Sequence, residues 1–326
     1  MEDTKLDRPK IALVLGSGAA RGLAHIGVLK VLEEKNIPID IVVGTSMGAL
    51  IAGAYAAGLS PKQMEEIACE TNWLRVAKLF FPRRLPREGL LDGKRIEEFI
   101  IALVGEQKIE NLKIPFAAVA TDIWTGEEIV LQSGSLVKAI RASISFPFLF
   151  SPVKIDGRFL VDGGVVNPLP VNVAYDMRAD LVVAVRSTPA SDRQIRCMNS
   201  GQILTKKHTR AASNSTSFFQ RFLNFLDIDI QKDQNAKQTD LSLIVKPGLR
   251  QYMVQVANIM ENMILSLRLQ DSPPDILISP DIDYYQFMDF ARALEIIEAG
   301  EEAARLALEN NHSGLNRIKI HKESEI

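Results

Sequence analysis

Residues 40–52 constrain the fold of this chain more than any other stretch. The β-branched apolar run Ile41–Val43 enters a Gly-x-Ser-x-Gly pentapeptide, Gly44-Thr45-Ser46-Met47-Gly48, and a helix-favouring segment of small residues follows. A serine held on a tight turn between a buried strand and a helix is typical of a nucleophile elbow. The passage therefore predicts strand, turn and helix in that order, with Ser46 as a candidate nucleophile. The alternative is a glycine-rich turn in which Ser46 only caps the helix.

A second glycine-rich loop follows the first predicted strand. Five apolar residues, Ile11–Leu15, lead into the loop at residues 16–22, and a helix pattern follows. The spacing Gly-x-Gly-x-x-x-Gly and the missing acidic residue after the second strand argue against dinucleotide binding. Backbone amides that no side chain obstructs suit an oxyanion hole instead, and the candidate donors are Gly16, Ser17 and Gly18. Arg21 either anchors this loop or binds phosphate.

An acidic residue at the end of a later predicted strand supplies a candidate base. Asp162 directly precedes Gly163-Gly164, so its backbone is able to approach another loop closely. The chain has four histidines, and none follows a strand where the histidine of an α/β-hydrolase triad would stand. A nucleophilic serine on this chain would therefore use a Ser-Asp dyad, with Asp162 taking the proton of Ser46. The alternative is that Asp162-Gly163-Gly164 is a plain turn.

Strand and helix patterns alternate along most of the 326 residues, which indicates a large α/β domain. We expect a three-layer α/β/α sandwich with a mainly parallel central sheet, spanning residues 9–310. Residues 187–240 break the alternation with polar and basic sequence, which predicts an insertion or a cover. The remaining residues, 311–326, form a polar tail.

Two stretches combine apolar and basic residues. Residues 73–87 and 191–226 carry arginine and lysine beside aromatic and aliphatic side chains, a mixture that suits peripheral contact with an anionic membrane surface. The alternatives are a surface helix and loop for the first stretch, and a solvated loop with a dimer-contact helix for the second. The apolar loop at 143–152 either walls a lipophilic pocket or packs in the core. The sequence does not indicate the oligomeric state.

Composition narrows the remaining function classes. The formal net charge of -2 gives no reason to expect nucleic acid as a partner. Two cysteines, far apart in sequence, match no metal or redox spacing. The sequence contains neither a secretory signal pattern nor an apolar run of about 18 residues. We therefore expect a cytoplasmic protein, with a peripheral position on the inner membrane surface left open by the two basic stretches.

Three motifs in register resemble one known family. Gly16-Ser-Gly-Ala-Ala-Arg-Gly22, Gly44-Thr-Ser-Met-Gly48 and Asp162-Gly-Gly164 resemble the patatin-like phospholipases, particularly the single-domain bacterial ones, and the resemblance extends over roughly residues 9–310. In that family the first loop forms the oxyanion hole, the elbow serine is acylated and the aspartate is the base of a dyad. The resemblance implies these roles for Gly16 to Gly18, Ser46 and Asp162. The one departure is Ser17, where the family usually has a third glycine.

The resemblance also implies a function. It predicts a serine lipid acyl hydrolase of the phospholipase A or lysophospholipase type, which acts on phospholipids or lysophospholipids through an acyl-enzyme and needs no metal or organic cofactor. An acyltransferase that uses the same dyad is an alternative, because an acyl-enzyme can pass its acyl group to an acceptor other than water. A membrane-binding or partner-binding regulatory protein with little turnover is a second alternative, from another functional class.

Overall fold

The computed structural model of the protein describes residues 8–71, 93–147, 149–188 and 249–310. Within these ranges a mixed sheet carries helices on both faces. Several sequence predictions fall outside them: the membrane-contact stretches at 73–87 and 191–226, most of the insertion at 187–240, and the tail at 311–326. One domain over 9–310 therefore stays a prediction across the two longer gaps.

The strands of the described chain are β1 (Ile11–Leu15), β2 (Ile41–Thr45), β3 (Phe116–Asp122), β4 (Glu128–Leu131), β5 (Val153–Ile155), β6 (Arg158–Asp162), β7 (Leu181–Val185) and β8 (Ile276–Ile278). The α-helices are α1 (Ala24–Glu34), α2 (Met47–Ala56), α3 (Pro61–Glu70), α4 (Lys94–Val104), α5 (Leu136–Ser143), α6 (Val171–Asp176), α7 (Leu249–Asp271) and α8 (Ala293–Asn310). A 3-10 turn precedes α1 and another follows β6.

The sheet confirms the predicted fold class. Its strand order is β5-β6-β3-β2-β1-β7-β8, and β4 also pairs with β3. Strands β3, β2, β1, β7 and β8 run parallel to one another, whereas β4, β5 and β6 add antiparallel pairs at the β3 side. The central strands are fully buried apolar runs, as expected where helices cover both faces of a parallel sheet. The fold is a three-layer α/β/α sandwich with a mainly parallel sheet.

The two faces of the sheet are covered unequally. Helices α1 to α5 and α8 pack over one face around the larger apolar core. Within the described ranges, the other face is covered by the short α6 and by the inner side of α7, which contributes Leu265. The close crossing of α1 and α8 depends on glycine, because a Cβ at Gly27 or at Gly300 would lie 2.0 Å from a carbonyl oxygen of the other helix.

Two strands meet end to end on one edge of β3. Residues 118–119 of β3 pair with both β2 and β4, and residues 120–121 pair with both β4 and β6. Because a strand has only two edges, β2 and β6 share the edge opposite β4. Thr45 lies opposite Val119 and Asp162 lies opposite Ala120. The carboxyl ends of β2 and β6 therefore arrive at consecutive positions along β3.

Some element bounds differ from the sequence patterns. Strand β3 begins at Phe116, although the apolar pattern begins at Ile114, because Pro115 has no N–H to donate to a neighbouring strand. In α7 the described chain is already helical at Leu249, whereas the helical pattern of the sequence starts at Met253. None of the helices in the described ranges is long and apolar enough to cross a membrane.

Candidate active site

Ser46 sits on a strained turn between β2 and α2. Its backbone adopts φ 56° and ψ -123°, a conformation that side chains disfavour and that persists only where the surroundings hold it. Glycines on both sides make this turn possible. A Cβ at Gly44 would lie 2.4 Å from the Gly48 backbone, and a Cβ at Gly48 would lie 2.0 Å from the Leu15 carbonyl oxygen. The strand, turn and helix predicted around Ser46 are all present.

The Ser46 hydroxyl meets the Asp162 carboxyl group. Ser46 Oγ donates a hydrogen bond of 2.6 Å to Asp162 Oδ2, and the Gly164 N–H donates one of 2.8 Å to Asp162 Oδ1. Asp162 is only 2% exposed. The turn after Asp162 reaches this position because Gly163 lies against β3, where a Cβ would come within 2.3 Å of the Val119 carbonyl oxygen. The structure thus brings together two residues that lie far apart in sequence.

The electrostatic environment prepares Asp162 to exchange a proton near neutral pH. Burial raises the pKa of Asp162 to about 7, although the hydrogen bonds from Ser46 and Gly164 act in the opposite direction. The nearby Glu261 carboxylate raises this pKa further. A general base works best when its pKa lies close to the operating pH. The contact between Ser46 and Asp162 therefore has a geometry and a pKa that suit transfer of the hydroxyl proton.

The loop at 16–22 uses some of its own amides to hold its shape. The Gly16 N–H donates to the Val185 carbonyl oxygen at 3.0 Å, and the Ser17 N–H donates to the Pro168 carbonyl oxygen at 2.9 Å. Two of the three amides expected to face an oxyanion are therefore occupied. Within the described ranges, the N–H groups of Gly18 and Ala19 make no hydrogen bond. These two amides are the ones the loop leaves available.

His25 supports this loop and does not contact the dyad. Its Nε2 lies 2.8 Å from the Gly16 carbonyl oxygen, which only accepts, so Nε2 carries the proton. Burial lowers the pKa of His25 to about 4 and keeps the ring neutral. His25 is the one histidine among the described residues. In the same part of the chain, no group of three or more His, Cys, Asp or Glu side chains could hold a metal ion.

Arg21 is buried beneath the loop. Its Nε donates to the Gly18 carbonyl oxygen at 3.4 Å, and a terminal nitrogen donates to Asn258 Oδ1 on α7 at the same distance. Burial lowers the pKa of the guanidinium, and three acidic side chains oppose this shift. Those three residues are Glu261, Asp283 and Asp289. Of the two alternatives for Arg21, these contacts favour anchoring the loop over binding phosphate.

Ser46 opens into an apolar pocket. The pocket encloses about 1150 Å³, its open mouth included, and apart from Ser46 every described residue that lines it is apolar. Its walls come from α2, α3 and α4, from the apolar loop at 143–152 and from residues 287–290. The rings of Phe146 and Phe287, whose centroids are 5.0 Å apart, join two of these walls. Such a pocket fits a lipophilic acyl group.

Three residues of this site have no clear signal in the sequence. Ser143 accepts a hydrogen bond from the Ser46 N–H at 2.9 Å and donates one to the Val119 carbonyl oxygen. Ser187 donates to the Ser17 carbonyl oxygen at 2.6 Å. Glu261 accepts from the Ser17 hydroxyl. Of the three, only Glu261 stands out in the sequence, because it is the single acidic residue between 249 and 270.

Comparisons with known proteins agree on one family. A model of the patatin-like phospholipase family matches residues 13–175. An uncharacterized NTE family protein of Mycobacterium tuberculosis is 31% identical over 338 residues, which cover 92% of this chain and 92% of that protein. The human patatin-like phospholipase domain-containing protein 6 is 37% identical over 179 residues, which cover 54% of this chain and 13% of that protein.

One solved structure resembles the chain along most of its length. The crystal structure of VipD from Legionella pneumophila aligns with 96% of this chain and 79% of that chain, at 13% identity and a TM-score of 0.44. The family assignment rests on the sequence matches, since the mycobacterial relative aligns over almost the whole chain. The chain belongs to the patatin-like phospholipase family, whose reaction is the hydrolysis of acyl esters of lipids.

Proposed function

We propose that the protein is a serine lipid acyl hydrolase of the phospholipase A or lysophospholipase type, with Ser46 and Asp162 as its catalytic dyad. The observation that carries the proposal is the 2.6 Å hydrogen bond from Ser46 Oγ to Asp162 Oδ2, made by a serine that opens into an apolar pocket. Family membership supports the reaction class, and the geometry of the dyad supports the choice of residues.

The proposed reaction forms and then hydrolyses an acyl-enzyme. Ser46 Oγ attacks the ester carbonyl carbon while its proton passes to Asp162 Oδ2. When the tetrahedral intermediate collapses, the protonated Asp162 gives that proton to the departing alcohol oxygen. Asp162 then deprotonates a water molecule that attacks the acyl-enzyme, and Ser46 regains a proton as the fatty acid leaves. One carboxylate serves in both half-reactions, as the histidine of a triad does.

The negative charge that develops on the carbonyl oxygen needs backbone donors. We assign this role to the amides of Gly18 and Ala19, which make no other hydrogen bond within the described ranges. Met47 adds a third candidate, because the residue after the nucleophile begins α2 and the first N–H groups of a helix have no partner within it. Ala19 and Met47 both line the pocket beside Ser46.

The pocket supports the proposed substrate class. Its walls offer an acyl chain contact with apolar side chains only, so the acyl part of the substrate is bound by burial rather than by polar recognition. The head group would remain outside, at the open mouth. Phospholipids and lysophospholipids both meet this description, and the competing acyltransferase reaction differs only in the acceptor of the acyl group.

The test compares wild type with Ser46→Ala and Asp162→Asn, using a fluorophosphonate probe and fatty-acid release from phosphatidylcholine and lysophosphatidylcholine. We expect Ser46→Ala to abolish labelling, and Asp162→Asn to lower kcat by about 10³-fold or more, since each member of such a unit is essential. Ser266→Ala, which removes an exposed hydroxyl outside the pocket lining, is the matched control and should keep wild-type turnover.

Two outcomes would contradict the proposal. One is fatty-acid release by Ser46→Ala at the wild-type rate, which would place the nucleophile elsewhere. The other is a folded wild type that neither reacts with the probe nor releases fatty acid from any lipid offered. Recovery of the acyl group on an added alcohol in place of water would keep the dyad and favour the acyltransferase.

A further inference from the structure

Ser17 departs from the usual family loop, and the structure gives its hydroxyl a partner. Ser17 Oγ donates a hydrogen bond to Glu261 Oε1, which extends from the inner side of α7. Both side chains are buried. A glycine at position 17 could not make this contact. The residue that departs from the family pattern therefore adds a second contact between the loop and α7, beside that of Arg21 with Asn258.

Glu261 also lies close to the turn that follows Asp162. A Cβ at Gly164 would lie 3.0 Å from Glu261 Oε1 and 3.2 Å from Asp162 Oδ1, with Ser17 Cβ at 3.4 Å. Gly164 thus lies between the two carboxyl groups and beside the loop. Glu261 stands where the loop and the turn after Asp162 meet, so that it is in position to affect both.

Two charged groups of the described chain act on Glu261 directly. Burial raises the pKa of Glu261, whereas the hydrogen bond from Ser17 and the positive charge of Arg21 lower it. Asp162 is the other acid that faces it, and the Glu261 charge raises the pKa of Asp162 in turn. Arg21 itself faces Asp283 and Asp289 as well as Glu261. Among the described residues, Glu261 is therefore a buried acid with one hydrogen-bond donor, Ser17, and one nearby cation, Arg21.

A buried carboxylate is a costly element of structure. Removing an acidic side chain from water costs several kcal/mol unless good partners compensate, and here a second buried carboxyl group lies close by. An apolar residue on the inner side of α7 would pack against the sheet without that cost, as Leu265 does on the same helix. The position of Glu261 points to a role in the reaction rather than in folding.

We propose that Glu261 is a positioning residue for the proposed dyad: through Ser17 it fixes the loop that offers the Gly18 and Ala19 amides to the acyl oxygen. The inference rests on the proposed function of Ser46 and Asp162. The amides of Gly16 and Ser17 already fix one side of this loop through Val185 and Pro168. The contact with Glu261 fixes the Ser17 side chain, one residue before the first available amide.

The test measures kcat, KM and their pH dependence for Ser17→Ala, Glu261→Ala, Glu261→Gln and the Ser17→Ala/Glu261→Ala double variant. We expect each alanine variant to lose about tenfold in kcat with little change in KM. This loss in kcat is smaller than the loss caused by removing an oxyanion donor itself. The double variant should lose no more than either single variant, because both remove the same contact.

Glu261→Gln separates the effect of the hydrogen bond with Ser17 from the effect of the negative charge of Glu261. Its amide oxygen can still accept from Ser17, so kcat above the titration of Asp162 should stay within about twofold of wild type. Loss of the negative charge should move the rising limb of the pH profile to lower pH, because it removes a charge that opposes ionisation of Asp162. A residue that only stabilises the fold would change the melting temperature and leave the kcat of the alanine variants at the wild-type value.

Glu302→Gln, which removes an exposed charge on α8, is the matched control for net charge and should leave both kcat and the pH profile unchanged. Wild-type kcat in Glu261→Ala would overturn the proposal, as would multiplied losses in the double variant or an unshifted pH profile in Glu261→Gln. Failure of the dyad itself is recognised separately, because Ser46→Ala would then keep its turnover or Asp162→Asn would keep its kcat.

Discussion

At the scale of single residues, the Asp162 carboxyl group lies where its ionised form is disfavoured. Its pKa rises from 3.8 to about 7, with burial as the main cause. An acid whose pKa is raised by folding favours the folded state while it is protonated, and this contribution is lost as the pH rises between the two values. On the order of 4 kcal/mol is involved across that range. The proposed base is therefore held ionised at the expense of stability.

Asp162→Asn should stabilise the protein at alkaline pH. Asparagine keeps an oxygen for the Gly164 N–H but carries no charge beside Glu261. We expect its melting temperature to exceed that of wild type at about pH 8 and the difference to shrink towards about pH 5, where the wild-type carboxyl group is protonated. Thermal unfolding of both proteins across this range measures the effect. A variant less stable than wild type at every pH would contradict the stated cause.

The residues that sequence reasoning identified share one property. Ser46 and Asp162 each stand beside glycines at the end of an apolar run, so local sequence alone marks them as residues on tight backbone turns. Their hydrogen bond is new information from the structure. Ser143 and Glu261 carry no such mark, because their roles depend on contacts that form only when α5 and α7 pack. Local sequence patterns therefore identify residues on tight turns, but they do not identify the residues that hydrogen-bond to those turns from other elements.

At the scale of elements, glycine sets the distance between the first and last described helices. A Cβ at Gly300 would lie 2.0 Å from the Ala24 carbonyl oxygen, a backbone atom that cannot rotate away. In an exposed helix, glycine to alanine adds about 1 kcal/mol of stability. Here we expect Gly300→Ala to lower the free energy of unfolding by about 2 kcal/mol or more, because overpacking outweighs helix propensity. Urea unfolding monitored by circular dichroism measures this value.

Glu302→Ala provides the comparison on the exposed side of α8. It changes helix propensity without touching α1 and should stay within about 0.5 kcal/mol of wild type. A Gly300→Ala variant as stable as wild type would mean that the two helices can separate without cost. That outcome would contradict the explanation that Gly27 and Gly300 are needed for the close contact between the backbones of α1 and α8.

The bounds of the elements show where patterns succeed and where they fail. The predicted strand at Ile11–Leu15 matches β1 fully, since an apolar run that stops at glycine leaves little choice. The apolar pattern at 114–120 places the start of β3 two residues too early, because Pro115 has no N–H to donate to a neighbouring strand. The antiparallel pairing of β6 with β3 was not predicted, since no local feature of either strand specifies its partner.

At the scale of the whole molecule, the family match at 13–175 ends before the sheet is complete. Strand β7 pairs with β1 in the middle of the sheet, and its Val185 carbonyl oxygen accepts the Gly16 N–H. A fragment that ends at Tyr175 would leave β1 as an exposed edge and would lack α8 over α1. We expect such a fragment to show no cooperative unfolding transition and no labelling by a fluorophosphonate probe.

The full chain, measured alongside, serves as the reference for both signals. A fragment that unfolds cooperatively and reacts with the probe would mean that the elements after residue 175 are dispensable for the site. The contacts of Ser187 and Glu261 with Ser17 argue against this result, because both residues lie beyond the family match and both hold the loop beside the proposed dyad.

Strand β3 sets the spacing between Ser46 and Asp162, the proposed dyad. Strand β2, which leads into Ser46, and strand β6, which ends at Asp162, pair with neighbouring residues of β3. One step along a single backbone therefore sets the spacing of the two side chains. A slip of one residue in either docking would turn the side chain to the opposite face of the sheet. The distance between Ser46 and Asp162 is therefore fixed by the pairing of the central strands, and it is kept as long as the centre of the sheet stays folded.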